Sequence, residues 1–154
     1  MGKQRIKSYL FLKNTSHLFL DTMFFIYHFE NNPIFYQLTT YILNLVEKGQ
    51  IKCSTSYLTL MEILVKPIRE NRQDIVEAYT MVFETFPNLN LIPLDSPVVY
   101  MAAHFRARYN ISPPDSIQLA SASVCNSELF LTNDKGLKGV KEVSIACMDD
   151  IIAG

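Results

Sequence analysis

The sequence predicts an α/β domain built around a mostly parallel sheet. Three observations carry that prediction. Short apolar runs without polar alternation recur along the chain, as expected of strands covered on both faces. Longer runs with helical spacing of apolar residues lie between them. No repeat, low-complexity segment or linker interrupts the alternation, and 154 residues fit one domain. Residues 1–16 read as a basic N-terminal extension and residues 17–154 as the single domain.

"HLFLD" (17–21) is the first strand, with Asp21 at its carboxyl end and a helix starting near Met23. In "PIFYQLTTYILNLVEKG", Phe35, Leu38, Tyr41, Ile42 and Leu45 recur at helical spacing, and Gly49 ends the helix. "IKCSTS" (51–56) is the second strand. "YLTLMEILVKP" is a helix broken near Pro67. "DIVEAYTMVFETF" (74–86) is a further helix, stopped by Pro87, and "LNLIPL" (89–94) is the third strand. Ser96 and Pro97 form the start of a helix that runs to about Tyr109. Ser112-Pro113-Pro114-Asp115 starts another, which runs to about Cys125. "ELFLT" (128–132) is the fourth strand and "VSIACM" (143–148) a weaker fifth.

Composition narrows the function classes. Hydrophobic residues make up 49% and charged residues 19%, a globular rather than disordered balance. The formal net charge of -1 announces no overall basic field for nucleic acid. Lys3, Arg5, Lys7 and Lys13 nevertheless precede the first acid, Asp21. That tail either touches RNA phosphates or is simply solvated or docked. Cys53, Cys125 and Cys147 are odd in number, far apart and lack C-x-x-C spacing, which argues against a disulfide framework or zinc site and fits a reducing cytoplasm. No apolar stretch approaches a membrane span. No glycine lies between Gly49 and Gly136, so neither a dinucleotide fingerprint nor a P-loop can be written. His17, His28 and His104 are isolated, without metal spacing or an obvious nucleophile. Arg106 and Arg108 either reach substrate phosphate or end a solvated helix. Phosphatases with an aspartyl nucleophile need a second acid two residues after the first, and that position here is Met23.

Four acids carry the chemistry. In open parallel sheets, ligands bind beyond the carboxyl ends of the strands. Asp21 and Asp134 both follow strand ends, and Asp115 opens a helix. Glu62 is the sole charge within residues 56–65, where a lone acid costs free energy unless paired or bound. Each has a bland alternative. Asp21 can cap the following helix, Asp115 can complete a capping box with Ser112, and Asp134 can be a turn residue. Taken together, they predict one acidic pocket. Clustered carboxylates repel one another, so such a pocket suits a cation, and oxygen-only ligands suit Mg²⁺ or Mn²⁺.

"LFLDT", "SYLTLMEILVKP", "PPDSIQLASASV" and "LFLTNDKGL" resemble, in that order, the blocks of PIN-domain ribonucleases. The similarity is nearest to the VapC-type toxins of bacterial toxin–antitoxin pairs, and it spans roughly residues 17–150. It implies a three-layer α/β/α fold and Mg²⁺- or Mn²⁺-dependent RNA cleavage in the cytoplasm. It also implies a small antitoxin partner; whether the chain forms a homodimer is left open by the sequence, and no membrane partner is expected. By motif position it carries the catalytic and metal-binding role onto Asp21, Glu62, Asp115 and Asp134. Thr22, Thr132 and Asn133 fall where the family has polar residues beside the site. Met23 stands where many members have Asn or Ser, which removes a hydrogen-bonding group there. The alternative is a PIN-like module that binds RNA or protein and cuts weakly or not at all.

Overall fold

A computed structural model describes Tyr9, Leu12 and residues 14–153. The expectation for Lys3, Arg5, Lys7 and Lys13 therefore lies outside the described residues. The strands are β1 (His17–Leu20), β2 (Lys52–Ser56), β3 (Leu89–Ile92), β4 (Leu129–Thr132) and β5 (Ile145–Cys147). The helices are α1 (Thr22–Phe29), α2 (Tyr36–Glu47), α3 (Tyr57–Arg69), α4 (Gln73–Thr85), α5 (Ser96–Tyr109), α6 (Pro113–Val124) and α7 (Met148–Ala153). Among the described residues no helix is long and apolar enough to cross a membrane.

The strands pair in the order β3-β2-β1-β4-β5, and every pairing is parallel. The chain moves outward from β1 to β3, then returns to the other side of β1. The seam between β1 and β4 is thus the point where strand order reverses. At such a point the connections leave in opposite directions and open a crevice beyond the strand ends.

Strand side chains alternate between the two faces. Leu18, Leu20 and Leu131 enter one core with Phe24 and Phe25 of α1, Leu38 and Ile42 of α2, Leu60 and Ile63 of α3, Phe83 of α4 and Met148 of α7. Phe19 and Phe130 enter the other core, with Val98 and Phe105 of α5 and Leu119 and Ala122 of α6. The result is a three-layer α/β/α sandwich. Both central strands are apolar on both faces, which is why "HLFL" and "LFLT" show no polar alternation. Phe19 pairs with Phe130 across the seam, their rings stacked 5.4 Å apart. Such a pair adds roughly 0.5–1.5 kcal/mol beyond the area it buries.

Several local expectations are corrected. Pro67 does not break α3, which continues to Arg69 with Pro67 buried in its last turns. A proline there removes one late backbone bond, and its burial against the core compensates. Asp95, rather than Ser96, caps α5, its carboxylate accepting from Val98 N at 3.3 Å. The run ending at Met148 splits after Cys147: β5 ends there and α7 begins at Met148. Five asparagines, Asn31, Asn71, Asn88, Asn110 and Asn126, take positive φ within three residues of helix ends. Asparagine tolerates this left-handed region, so the long stretch without glycine still closes its helices.

Candidate active site

The four predicted acids arrive from four different elements. Asp21 follows β1 and caps α1, Glu62 projects from α3, Asp115 lies in the first turn of α6, and Asp134 follows β4. All four line one open cavity of about 350 Å³ beyond the strand ends at the β1–β4 seam. Thr22, Met23, Gln118 and Asn133 line it as well.

Asp21 is the most constrained. Its backbone N–H continues the ladder by donating to Leu131 O at 3.2 Å. Its Oδ1 accepts from Thr22 N at 2.7 Å, and its Oδ2 accepts from the Thr132 hydroxyl at 2.7 Å. Burial pushes its carboxyl up from 3.8 to about 6; the two hydrogen bonds pull it down, and the charges of Asp115 and Glu62 raise it further. Thr132 Oγ1 also accepts from Asp134 N at 3.0 Å, so one hydroxyl links the two acids across the seam. Asp134 Oδ1 in turn accepts from Gly136 N at 2.9 Å. A Cβ at Gly136 would stand 3.1 Å from that oxygen, so a larger residue there would push on the Asp134 carboxylate.

Asp115 accepts from the Ser112 hydroxyl at 2.9 Å, while Ser112 Oγ accepts from Asp115 N at 3.3 Å. The capping arrangement and the shared pocket therefore coexist at Asp115. The same holds for Asp21 and Asp134, each of which caps a helical turn and lines the cavity. Glu62 sits at an exposed position on α3, as do Met61, Val65 and Ile68. Its Oε1 accepts from the Thr22 hydroxyl at 2.8 Å.

Behind Thr22 lies a network that sequence reasoning missed. Thr22 and Thr59 hydroxyls stand 3.1 Å apart, and Thr55 Oγ1 lies 2.9 Å from Thr59 Oγ1 and donates to Leu20 O at 2.7 Å. Gln118 Nε2 donates to both Thr22 Oγ1 at 3.0 Å and Thr59 Oγ1 at 2.9 Å. All four side chains are buried. The available signal was spacing. Thr59 and Glu62 lie one turn apart on α3, as Asp115 and Gln118 do on α6. Asn133 lines the cavity without touching an acid. Its amide donates to Tyr27 Oη at 3.1 Å and its carbonyl accepts from Asp149 N at 3.1 Å, which fixes the loop carrying Asp134.

The pocket's chemistry suits a hard cation. Its charged donors are carboxylates alone, with no histidine or cysteine in the lining. Glu62 Oε2, Asp115 Oδ1 and Asp134 Oδ2 accept no hydrogen bond among the described residues. Among the described residues no three His, Cys, Asp or Glu side chains already stand arranged to hold a metal ion. Each acid instead accepts a hydrogen bond from its own partner. The thiols offer no competing chemistry: burial pushes Cys53 up to about 12 and also raises Cys125 and Cys147.

Asp21 makes stability depend on pH. Its carboxyl holds a proton more tightly when folded, so the stability it contributes is full below about pH 4 and is lost as pH rises through about 6. Asp21→Asn lacks that titration. In EDTA, the variant is expected to gain about 1 kcal/mol on wild type between pH 5 and pH 7.5. Urea denaturation of both proteins at the two pH values checks this, and a stability gap that does not change with pH would contradict it.

The comparisons agree with this architecture. The PIN-domain family model matches residues 18–143, which includes all four acids. No curated protein sequence matches the chain. Among solved structures, a toxin–antitoxin complex from Klebsiella pneumoniae is similar with a TM-score of 0.65 and 22% identity, covering 86% of this chain and 98% of that one. VapBC2 from Rickettsia felis, bound to a promoter DNA fragment, is similar with a TM-score of 0.66 and 15% identity, covering 85% and 98%. DNA-bound VapBC from Salmonella typhimurium gives 0.66 and 18%, covering 86% and 98%. At these identities the structural likeness speaks for the fold, whereas the family model spans most of the sequence itself. The chain belongs to the PIN-domain family.

Proposed function

We propose that this protein is a divalent-metal-dependent endoribonuclease and the VapC-type toxin of a toxin–antitoxin pair. The observation that carries the reading is the convergence of Asp21, Glu62, Asp115 and Asp134 on one cavity at the strand-order reversal. Family membership and the toxin–antitoxin complexes among similar structures support it.

In this reading the four carboxylates hold Mg²⁺ or Mn²⁺. The ion when bound supplies Lewis-acid chemistry, activating water and neutralising charge on a phosphodiester. The chain's own part is to hold and orient. Thr22 N and Thr132 keep both Asp21 oxygens turned into the cavity. The Thr22 hydroxyl restrains Glu62, Ser112 restrains Asp115 and Gly136 N restrains Asp134. Carboxylates fixed in this way need little reorganisation when a cation enters, which is where preorganised electrostatic stabilisation comes from.

A second groove supports the antitoxin. Ile26, Phe29, Ile63, Pro67 and Tyr79 line a cavity of about 350 Å³ formed by residues of α1, α3 and α4. Ile26 and Glu62 line both openings, so an apolar segment filling the groove would reach the acidic pocket. The exposed Met61, Val65 and Ile68 extend the apolar surface along α3.

A second reading, a PIN-like module that binds RNA or protein without cutting efficiently, is favoured by the lack, among the described residues, of three acids already grouped to hold a metal ion. Cleavage of a panel of structured RNAs decides between them. Wild type is expected to cut with Mn²⁺ or Mg²⁺ and to stop in EDTA. Asp21→Asn is expected to lose at least about 100-fold while still melting cooperatively. Cutting at the wild-type rate by that variant, or in EDTA, would refute the site. For the partner, purification from the native host is expected to bring down a small protein whose gene is adjacent. Recovery of the protein alone, or only as a self-dimer, would count against the toxin assignment.

A further inference from the structure

We propose that Gln118 is a positioning residue of the acidic pocket, holding the Thr22 and Thr59 hydroxyls so that Thr22 presents its proton to Glu62. The proposal rests on the nuclease reading and adds to it a residue outside the four acids. The geometry is specific. Thr22 Oγ1 donates to Glu62 Oε1 at 2.8 Å, so toward Gln118 it can act only as an acceptor. A hydroxyl has one proton, and once that proton is committed its remaining partners must be donors. Gln118 Nε2 is such a donor, and it reaches Thr59 Oγ1 at the same time. This requirement sets which end of the amide faces the two threonines.

The other end of the amide argues against a merely structural role. Gln118 is 2% exposed, and its Oε1 is buried with no partner among the described residues. Its neighbours Leu119, Ala120 and Ala122 are apolar core. For packing alone, a leucine at 118 would fill the space without an unsatisfied carbonyl. The amide is tolerated because the two donors at its nitrogen govern Glu62. Thr22 is the pivot: its backbone N–H fixes Asp21 and its hydroxyl fixes Glu62. Gln118, through Thr22, therefore sets the separation of two of the four acids.

The test compares wild type, Gln118→Leu, Thr22→Val, Glu62→Gln and the Gln118→Leu/Glu62→Gln double variant. Gln118→Leu is expected to melt cooperatively, to bind Mn²⁺ about tenfold more weakly by calorimetry, and to lose tenfold or more in kcat with KM little changed. Gln118→Leu added to Glu62→Gln should bring little further loss, because Gln118 acts through Glu62. Should Gln118→Leu fail to fold, Thr22→Val breaks the same link without touching α6 and must show the same pattern. Wild-type Mn²⁺ affinity and turnover in the single variant, or losses that simply multiply in the double variant, would overturn the proposal. A wild type that neither binds Mn²⁺ nor cuts RNA would instead sink the nuclease reading. The positioning role is then decided in EDTA by the Gln118 side-chain amide resonances. A shift in Glu62→Gln supports the link to Glu62, and resonances that do not move overturn it.

Discussion

Asp21 is held where the chain has no choice but to bury it. Its backbone still belongs to the sheet, through the bond to Leu131 O, while its side chain already begins α1. That places a carboxylate at the reversal of strand order, partly closed off from water. Desolvation is the largest of the effects that raise its pKa to about 6. Two hydrogen bonds offset part of it. Neighbouring Asp115 and Glu62 make it worse. A cation would relieve both burial and repulsion at once, which is the physical reason to read the pocket as a metal site rather than as a set of unrelated caps.

The remainder of the site follows from that position. Thr132 ends β4 directly across the seam, so its hydroxyl can serve Asp21 and the backbone of Asp134 together. Thr22, next along the chain, faces inward and meets α3 and α6 through Glu62, Thr59 and Gln118. The acids are thus restrained by partners drawn from the elements around the seam. The pair Phe19–Phe130 beneath them keeps β1 and β4 in register. A one-residue slip there would turn Asp21 away from the cavity.

Much of this was legible in the sequence, for identifiable reasons. β1 and β4 are buried on both faces, and burial on both faces writes an unbroken apolar run. Asp21 and Asp134 could be placed because strand ends are easy to see when the strands are short. Other features were hidden. The exposure of Glu62 could not be read from α3, whose apolar Met61, Val65 and Ile68 also point outward. Composition reports content, not orientation. Asp95 and Ser96 can both cap a helix, and only the backbone geometry at Asp95 decides between them. α7 has six residues, too few for a period to show. Gln118 was invisible because its partners, Thr22 and Thr59, lie 96 and 59 residues away in sequence. The capping and metal-site readings had been opposed as alternatives, but one carboxylate has lone pairs enough for both.

The central claim is that four carboxylates at the β1–β4 seam form one divalent-cation site organised around Asp21. The most direct measurement is calorimetric titration of Mn²⁺ into the EDTA-stripped protein at pH 7.5 and at pH 6, in buffers of differing ionisation heat. The account predicts saturable binding in wild type that Asp21→Asn abolishes. It also predicts proton release on binding at pH 6, as the cation displaces the Asp21 proton into the buffer, and little release at pH 7.5. Absence of saturable binding in wild type, or equal binding by Asp21→Asn, would contradict it.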